Sequence, residues 1–369
     1  VGFSEFLGNE ATVRQLRMSI GSGRLPQSMI LAGPAGAGKY TLALMVAKAM
    51  NCLGPAELES RDDGGLPDFC GVCRNCERIG AAAPLGARFD EAVAAREELR
   101  EVDKKETRIL IQTHPDVLVI PPDPPQMLIK LGQVRRVIHE MYRFPAAARR
   151  AFYIFTGTGF MKEAANSLLK VLEEPPEFAS IFLLAENPGE LLPTIRSRTS
   201  LFRLAALPMA EIESLLAARR SDWKPAQRAL VARLAEGAVG RALGFPLEQY
   251  LACRQDALVL LRGAIAAPDH STLFRMTEGY RAGAEGQEKL SGLIRSLMAL
   301  LEDLLLLRAG TPSLVRNVDM AAELARMAND LGLEWIEAAA RAAERLESGM
   351  RRNLLRSLAL DAFAAELTR

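Results

Sequence analysis

The chain has 369 residues, 49% of them hydrophobic, which is enough for two or three domains with buried cores. Its 46 Lys and Arg residues nearly cancel its 45 Asp and Glu residues, which excludes the global basic footprint of a protein that binds nucleic acid unaided. The N-terminus shows no charged-then-apolar leader, and the most apolar C-terminal run, LIRSLMALLEDLLLL, is broken by Arg295, Glu302 and Asp303, so a cytoplasmic chain without membrane contact is expected.

From Phe3 to about Leu207, short apolar β-type runs (SMILAG, VLVIPP, AFYIFTG, SIFLLAE) alternate with helical stretches, the pattern of an α/β domain with a parallel sheet over residues 1–207. The first run leads into a glycine-rich phosphate loop containing Gly33, Gly36 and Gly38, followed by Lys39 and an amphipathic helix. Backbone N–H groups of such a loop cradle phosphate at a helix N-terminus, and Lys39 is placed to reach the β and γ phosphates. The next position calls for Ser or Thr, whose hydroxyl ligates Mg²⁺, yet Tyr40 stands there. Thr41, one residue on, points about 100° further round the helix. Binding of ATP or ADP at this degenerate loop stays open, but coordination of its metal is not supported.

Cys52 follows the loop helix, and Cys70, Cys73 and Cys76 follow in a C-x2-C-x2-C cluster within a polar stretch. Four thiolates with this spacing fit a tetrahedral structural Zn²⁺ site, here over residues 52–76, with no open position for chemistry. Cys253, on a later helix, reads as a core residue. Residues from about 78 to 112 are dense in charge and helix formers, predicting an exposed helical insertion. His114, in THPDV, reads as a local hydrogen-bonding residue, because no nucleophile accompanies it.

An ATPase of this pattern needs a carboxylate at the end of a later strand to hold Mg²⁺. That strand ends Phe155-Thr156-Gly157-Thr158-Gly159-Phe160, and no Asp or Glu occurs from Phe152 to Lys162. Glu173 and Glu174, before Pro175-Pro176, read as a helix-to-strand connection. After Leu207 the strands stop. A small helical unit over 208–246 ends in GAVGRALGFP, and a larger one over 247–369 carries wide apolar stripes suited to a bundle core or to packing on other subunits.

The stretch SLLKVLEEPPEFASIFLLAENPGELLPTIRSRT, Ser167 to Thr199, closely resembles the bacterial DNA polymerase III clamp loader, an AAA+ family whose subunits carry an LEEPP segment, a strand and an SRC motif. GRLPQSMILAGPAGAGK, the cysteines, THPDV, QVRRVI and EGAVGRAL occur in the family's order, over about residues 1–245. The resemblance implies an AAA+ P-loop domain, a small helical lid and an all-α collar, with the chain a non-hydrolysing stator in a hetero-oligomer. Its implied partners are the gamma/tau and delta subunits and, through the assembly, the sliding clamp and primer-template DNA. It also implies that Arg198, in SRT, is an arginine finger acting in trans on a neighbour's ATP, at the start of a helix facing that neighbour, with Arg196 as rival. Gly240 stands where motor subunits place a sensing arginine, with Arg241 beside it. An active ATPase with substitute Mg²⁺ ligands is the alternative, against which the carboxylate-free strand end speaks. A repair ATPase unrelated to loading would need a basic, aromatic stripe that the sequence lacks.

Overall fold

A computed structural model describes residues 2–54, 65–266, 271–280, 283–349 and 356–367. Residues 55–64 of the expected zinc module and parts of the expected helical unit over 247–369 lie outside this set. The chain divides into two compact units, Val1–Pro208 with Ala238–Arg241, and Met209–Gly237 with Ala242–Arg369.

The first unit is built on a six-stranded sheet of β1 (Ser28–Ala32), β2 (Ile111–His114), β3 (Val117–Ile120), β4 (Ala151–Phe155), β5 (Ala179–Ala185) and β6 (Ser200–Arg203), in the order β2-β3-β4-β5-β1-β6. All pairs are parallel except β2 with β3. The expected parallel sheet is therefore present, with an antiparallel edge strand that the sequence reading left inside the charged insertion. Strands β1, β3, β4 and β5 are buried at every position, so their sequences are continuous apolar runs instead of alternating ones.

Helices cover both faces. On one, α1 (Glu10–Gly21), α2 (Lys39–Asn51) and α3 (Arg74–Gly80) set Leu16, Leu42, Val46 and Ile79 against Met29, Leu31, Phe152 and Phe182. The insertion follows as two exposed helices, α4 (Leu85–Glu97) and α5 (Glu101–Glu106). It is held by Leu85 and Phe89, which pack against the core, and by Arg96, whose Nη1 meets the fully buried Asp123 carboxylate at 2.6 Å beside Lys130 Nζ at 3.1 Å. On the other face, α6 (Leu131–Met141) and α7 (Lys162–Glu173) bring Val134, Val137, Leu168 and Leu172 onto Ile30, Tyr153, Phe155 and Ile181. The four-residue α8 (Pro193–Arg196) precedes β6. Because the central strands are parallel, their C-terminal ends gather at one edge, where ligands of open α/β sheets bind.

The second unit is helical: α9 (Met209–Arg219), α10 (Pro225–Leu234), α11 (Val239–Leu243), α12 (Leu247–Ala266), α13 (Ser271–Glu278), α14 (Gly283–Arg308), α15 (Ala321–Asp330), α16 (Leu333–Gly349) and α17 (Arg356–Leu367). Only Ala242 and Leu243 of α11 lie in this unit, and its first three residues belong to the other. The apolar stripes of α12, α14, α16 and α17 form one core that includes Leu261, Leu297, Leu304, Ile336 and Phe363. The buried Asp303, which interrupts the apolar run of α14, accepts from Arg316 N at 2.7 Å, Asn317 N at 2.9 Å and Asn317 Nδ2 at 2.7 Å, and so fixes the connection that follows α14. Cys253 is buried against Gly292, as a core residue. Among the described residues no helix is long and apolar enough to cross a membrane.

Candidate phosphate loop, cysteine cluster and arginine

The phosphate loop joins β1 to α2 at the C-terminal edge of the sheet. Gly33 lies so close to the chain after β6 that a Cβ there would stand 2.3 Å from the Leu204 carbonyl oxygen. Gly36 has φ 78°, and its carbonyl accepts a 2.8 Å bond from Gly240 N, so the Ala238–Arg241 segment lies directly on the loop. The Phe6 ring closes over Gly38. Lys39 Nζ donates to the loop's own carbonyls, Gly33 O at 2.6 Å and Pro34 O at 2.8 Å. Burial pulls its ammonium below the usual lysine range, opposed by the charge of Glu186 just after β5.

Tyr40 turns away from the loop. Its hydroxyl donates to Ala82 O at 2.8 Å, in the connection between α3 and α4, and burial raises its pKa above the ordinary phenol value. Its ring therefore packs the cysteine-bearing segment onto α2 and offers no oxygen to a metal at the loop. Thr41 is exposed. After β4, Thr158 Oγ1 donates to Glu190 Oε2 at 2.5 Å, and Glu186 is the acidic group felt by Lys39. Sequence reasoning passed over Glu186, because only strand order shows that β5 lies next to β1.

Cys52 caps α2, Cys73 is the N-cap of α3 and Cys76 lies one turn into it. The four sulfurs of Cys52, Cys70, Cys73 and Cys76 lie within 4.8 Å of one another, with Cys52 at 3.5 Å from Cys70 and 4.0 Å from Cys73. Four sulfurs held about 2.3 Å from one ion stand about 3.8 Å apart in a tetrahedron, close to the spacing found here, so the cluster could hold a metal ion. Backbone N–H groups already point at the sulfurs: Leu53 N to Cys73 at 3.4 Å, Cys70 N to Cys52 at 3.3 Å and Cys73 N to Cys70 at 3.3 Å. Burial pushes the Cys52 and Cys76 thiols up. Burial acts the same way on Cys73, but N–H groups of Leu53 and Cys76 and the Cys76 and Cys70 side chains bring it down to about 6.

A buried polar chain ties this cluster to the sheet. Asn51, the last residue of α2, donates to Arg150 O at 2.9 Å and accepts from Arg149 N and Arg150 N at 3.0 Å each. Asn75, between two of the cysteines, donates to Asn51 O at 2.9 Å and Ala147 O at 3.2 Å. Its Oδ1 lies 3.2 Å from His114 Nε2, while His114 Nδ1 accepts from Asp116 N at 3.1 Å, which assigns the Nε2–H tautomer. Asp116 in turn accepts from Ala146, Ala147 and Ala148 N at 2.7 to 2.8 Å. His114 is fully buried, and burial lowers its pKa. Its hydrogen-bond partners among the described residues are Asn75 and Asp116.

Arg198 follows the end of α8, where a helix start was expected, because Pro193 opens that helix and Ser197 already caps it. Its guanidinium meets Glu173, the last residue of α7, through Nε at 3.0 Å and Nη2 at 2.7 Å on the same carboxylate oxygen. Nη1 reaches Thr194 O at 2.9 Å and Ser197 Oγ at 3.3 Å. Arg196 is exposed and makes no ion pair among the described residues. The structure thus gathers the phosphate loop and the strand ends at one edge of the sheet, the cysteines at the far end of α2, and Arg198 beside Glu173.

A family model described as DNA polymerase III, delta subunit matches residues 87–208. The tau subunit of DNA polymerase III from Escherichia coli is 28% identical over 246 residues, 65% of this chain and 32% of that protein. The delta' subunit from Bacillus subtilis is 29% identical over 230 residues, 61% of this chain and 56% of that protein. The chain thus spans between a third and just over half of these relatives. A Thermotoga maritima DNA polymerase III gamma subunit-related protein covers 97% of this chain and all of its own, with a TM-score of 0.43 at 16% identity. Over 61–65% of its length, the chain is thus similar in sequence to DNA polymerase III delta' and tau subunits.

Proposed function

We propose that this chain is a delta-prime-type subunit of a DNA polymerase III clamp loader, a stator that supports ATP-driven loading of the sliding clamp without hydrolysing ATP itself. One observation carries the reading: the protein anchors for Mg²⁺ are missing at both the phosphate loop and the end of β4, while Arg198 keeps its place after α8. Tyr40 has its hydroxyl on Ala82 O, and the residues after β4 include no carboxylate from Thr156 to Lys162. Phosphoryl transfer is almost wholly a matter of positioning and of charge stabilisation, so losing the metal anchors removes it.

Arg198 acts in trans in this reading. Its planar guanidinium can donate to a neighbour's γ-phosphate as charge develops there. The four cysteines hold Zn²⁺ as four thiolates, a closed set that stabilises the segment around α3 and supplies no Lewis acid to a reaction. Residues 208–246 serve as lid and residues 247–369 as collar against the gamma/tau and delta subunits, with clamp and primer-template DNA met in the assembly.

The test is reconstitution of the loader with this chain, with Arg198→Ala or Arg196→Ala variants, or without the chain, followed by DNA- and clamp-stimulated ATP hydrolysis and clamp loading. An arginine finger is worth about 10³ to 10⁵ in rate at the site it serves. Only one of several motor sites should lean on this chain, so a partial loss of total turnover is expected for Arg198→Ala and none for Arg196→Ala. Full rates with Arg198→Ala and a loss with Arg196→Ala would move the role to Arg196, and full rates with both would leave a scaffold.

A further inference from the structure

The Arg198 side chain is unusually committed for an exposed arginine. A guanidinium offers five N–H groups, and four contacts are made: Nε and Nη2 to Glu173 Oε1 at 3.0 and 2.7 Å, and Nη1 to Thr194 O at 2.9 Å and Ser197 Oγ at 3.3 Å. One N–H of Nη2 is left over. The partner carboxylate hangs from a rigid element, since Val171 and Leu172 beside it are buried in the core under α7. The two side chains are 33% and 52% exposed, and a pair so wet adds little to folding stability. What it supplies is orientation. Arg196, two residues earlier, is exposed and has no such ion-pair partner among the described residues.

We infer that Glu173 is a positioning residue for Arg198, fixing its rotamer before the neighbouring subunit docks so that one N–H is presented outward. This inference rests on the reading of Arg198 as an arginine acting in trans. A long side chain that must find one geometry in the transition state reacts faster when that geometry is already held, and Glu173 with Thr194 O holds it.

The experiment uses loader complexes rebuilt from the full chain, in which the motor site facing this chain is the only one competent for hydrolysis, and reads kcat and KM for ATP. Glu173→Ala is expected to lower kcat by about two- to five-fold, the range an exposed ion pair can contribute, with KM unchanged. Glu173→Gln, which keeps an acceptor oxygen, should recover part of the loss. In an Arg198→Ala background, Glu173→Ala should change nothing further. Wild-type kcat in Glu173→Ala, or an equal loss in both backgrounds, overturns the inference while the reading of Arg198 stands. Full rate in Arg198→Ala alone overturns that reading and this inference with it.

Discussion

At its N-terminal end α2 meets a glycine loop whose lysine is bonded to the loop's own carbonyls, and at its C-terminal end, 13 residues on, it delivers Cys52 to three other sulfurs. Both ends carry the residue pattern of a ligand site. At the loop, the residues that remain have turned inward: Tyr40 packs on Ala82 O, and Gly240 N sits on Gly36 O. At the cluster, every thiol is present and backbone N–H groups face the sulfurs. One helix thus carries a complete set of candidate ligands at one end and an incomplete set at the other. A glycine loop can survive as a packing element, whereas four thiolates can converge only where a cation neutralises and joins them.

The comparison can be broken most directly at the cysteines. A Cys73→Ser/Cys76→Ser double variant should lose its zinc and melt about 10 °C lower, at roughly 2–4 °C per kcal/mol for a unit of this size, since structural zinc contributes folding energy outright. Zinc content measured by elemental analysis, beside a melting curve, decides it. Less than half an equivalent in wild-type protein purified without chelator would remove the distinction between the two ends of the helix.

The next effect lies in the chain of polar groups behind the cluster. Asn75→Ala strips partners from Asn51 O, Ala147 O and His114 Nε2 together. Leaving such buried groups unmatched should destabilise the first unit by about 3 kcal/mol in denaturant melts. His114 adds a pH dependence. Its folded pKa is lowered by burial, so below the unfolded value of about 6.5 the unfolded state binds a proton that the folded state refuses. Stability is full above about pH 6.5 and falls as the pH drops below it, by at most about 1.4 kcal/mol per pH unit. Denaturation midpoints from pH 8 to pH 5 should show this slope, and His114→Gln should flatten it. An unchanged slope in that variant would mean that other groups set the acid limb.

Much of this was legible in the residues, and the exceptions have physical causes. β1, β3, β4 and β5 are buried on both faces, so each announces itself as an apolar run. β6 has one buried residue in SLFR, and β2 reads IQTH, so neither edge strand carries a period or a run to find. The four cysteines stood out because metal ligation needs short fixed spacings. The Asn51, Asn75 and His114 contacts span 24 to 99 residues, and nothing local marks them. Glu173 looked like the end of a helix, which it is. Its pairing with Arg198 depends on how α8 folds back, 25 residues later.

The smallest expected effect is at the other end of α2, and it tests whether the loop lacks one part or several. Tyr40→Thr restores the hydroxyl that phosphate loops use for Mg²⁺. If Tyr40 alone had silenced the site, turnover should appear in the purified variant. Yet no carboxylate occurs from Thr156 to Lys162 after β4, Gly36 O is taken by Gly240 N, and Lys39 is bonded to Gly33 O and Pro34 O. The variant should therefore show no ATP hydrolysis above the wild-type background. Its cost should be to stability alone, through the ring's lost packing on the cysteine-bearing segment and the lost bond to Ala82 O. Activity in Tyr40→Thr that disappears on adding Lys39→Ala would show that the loop is one residue from function, and would make the two ends of the helix far more alike than their contacts suggest.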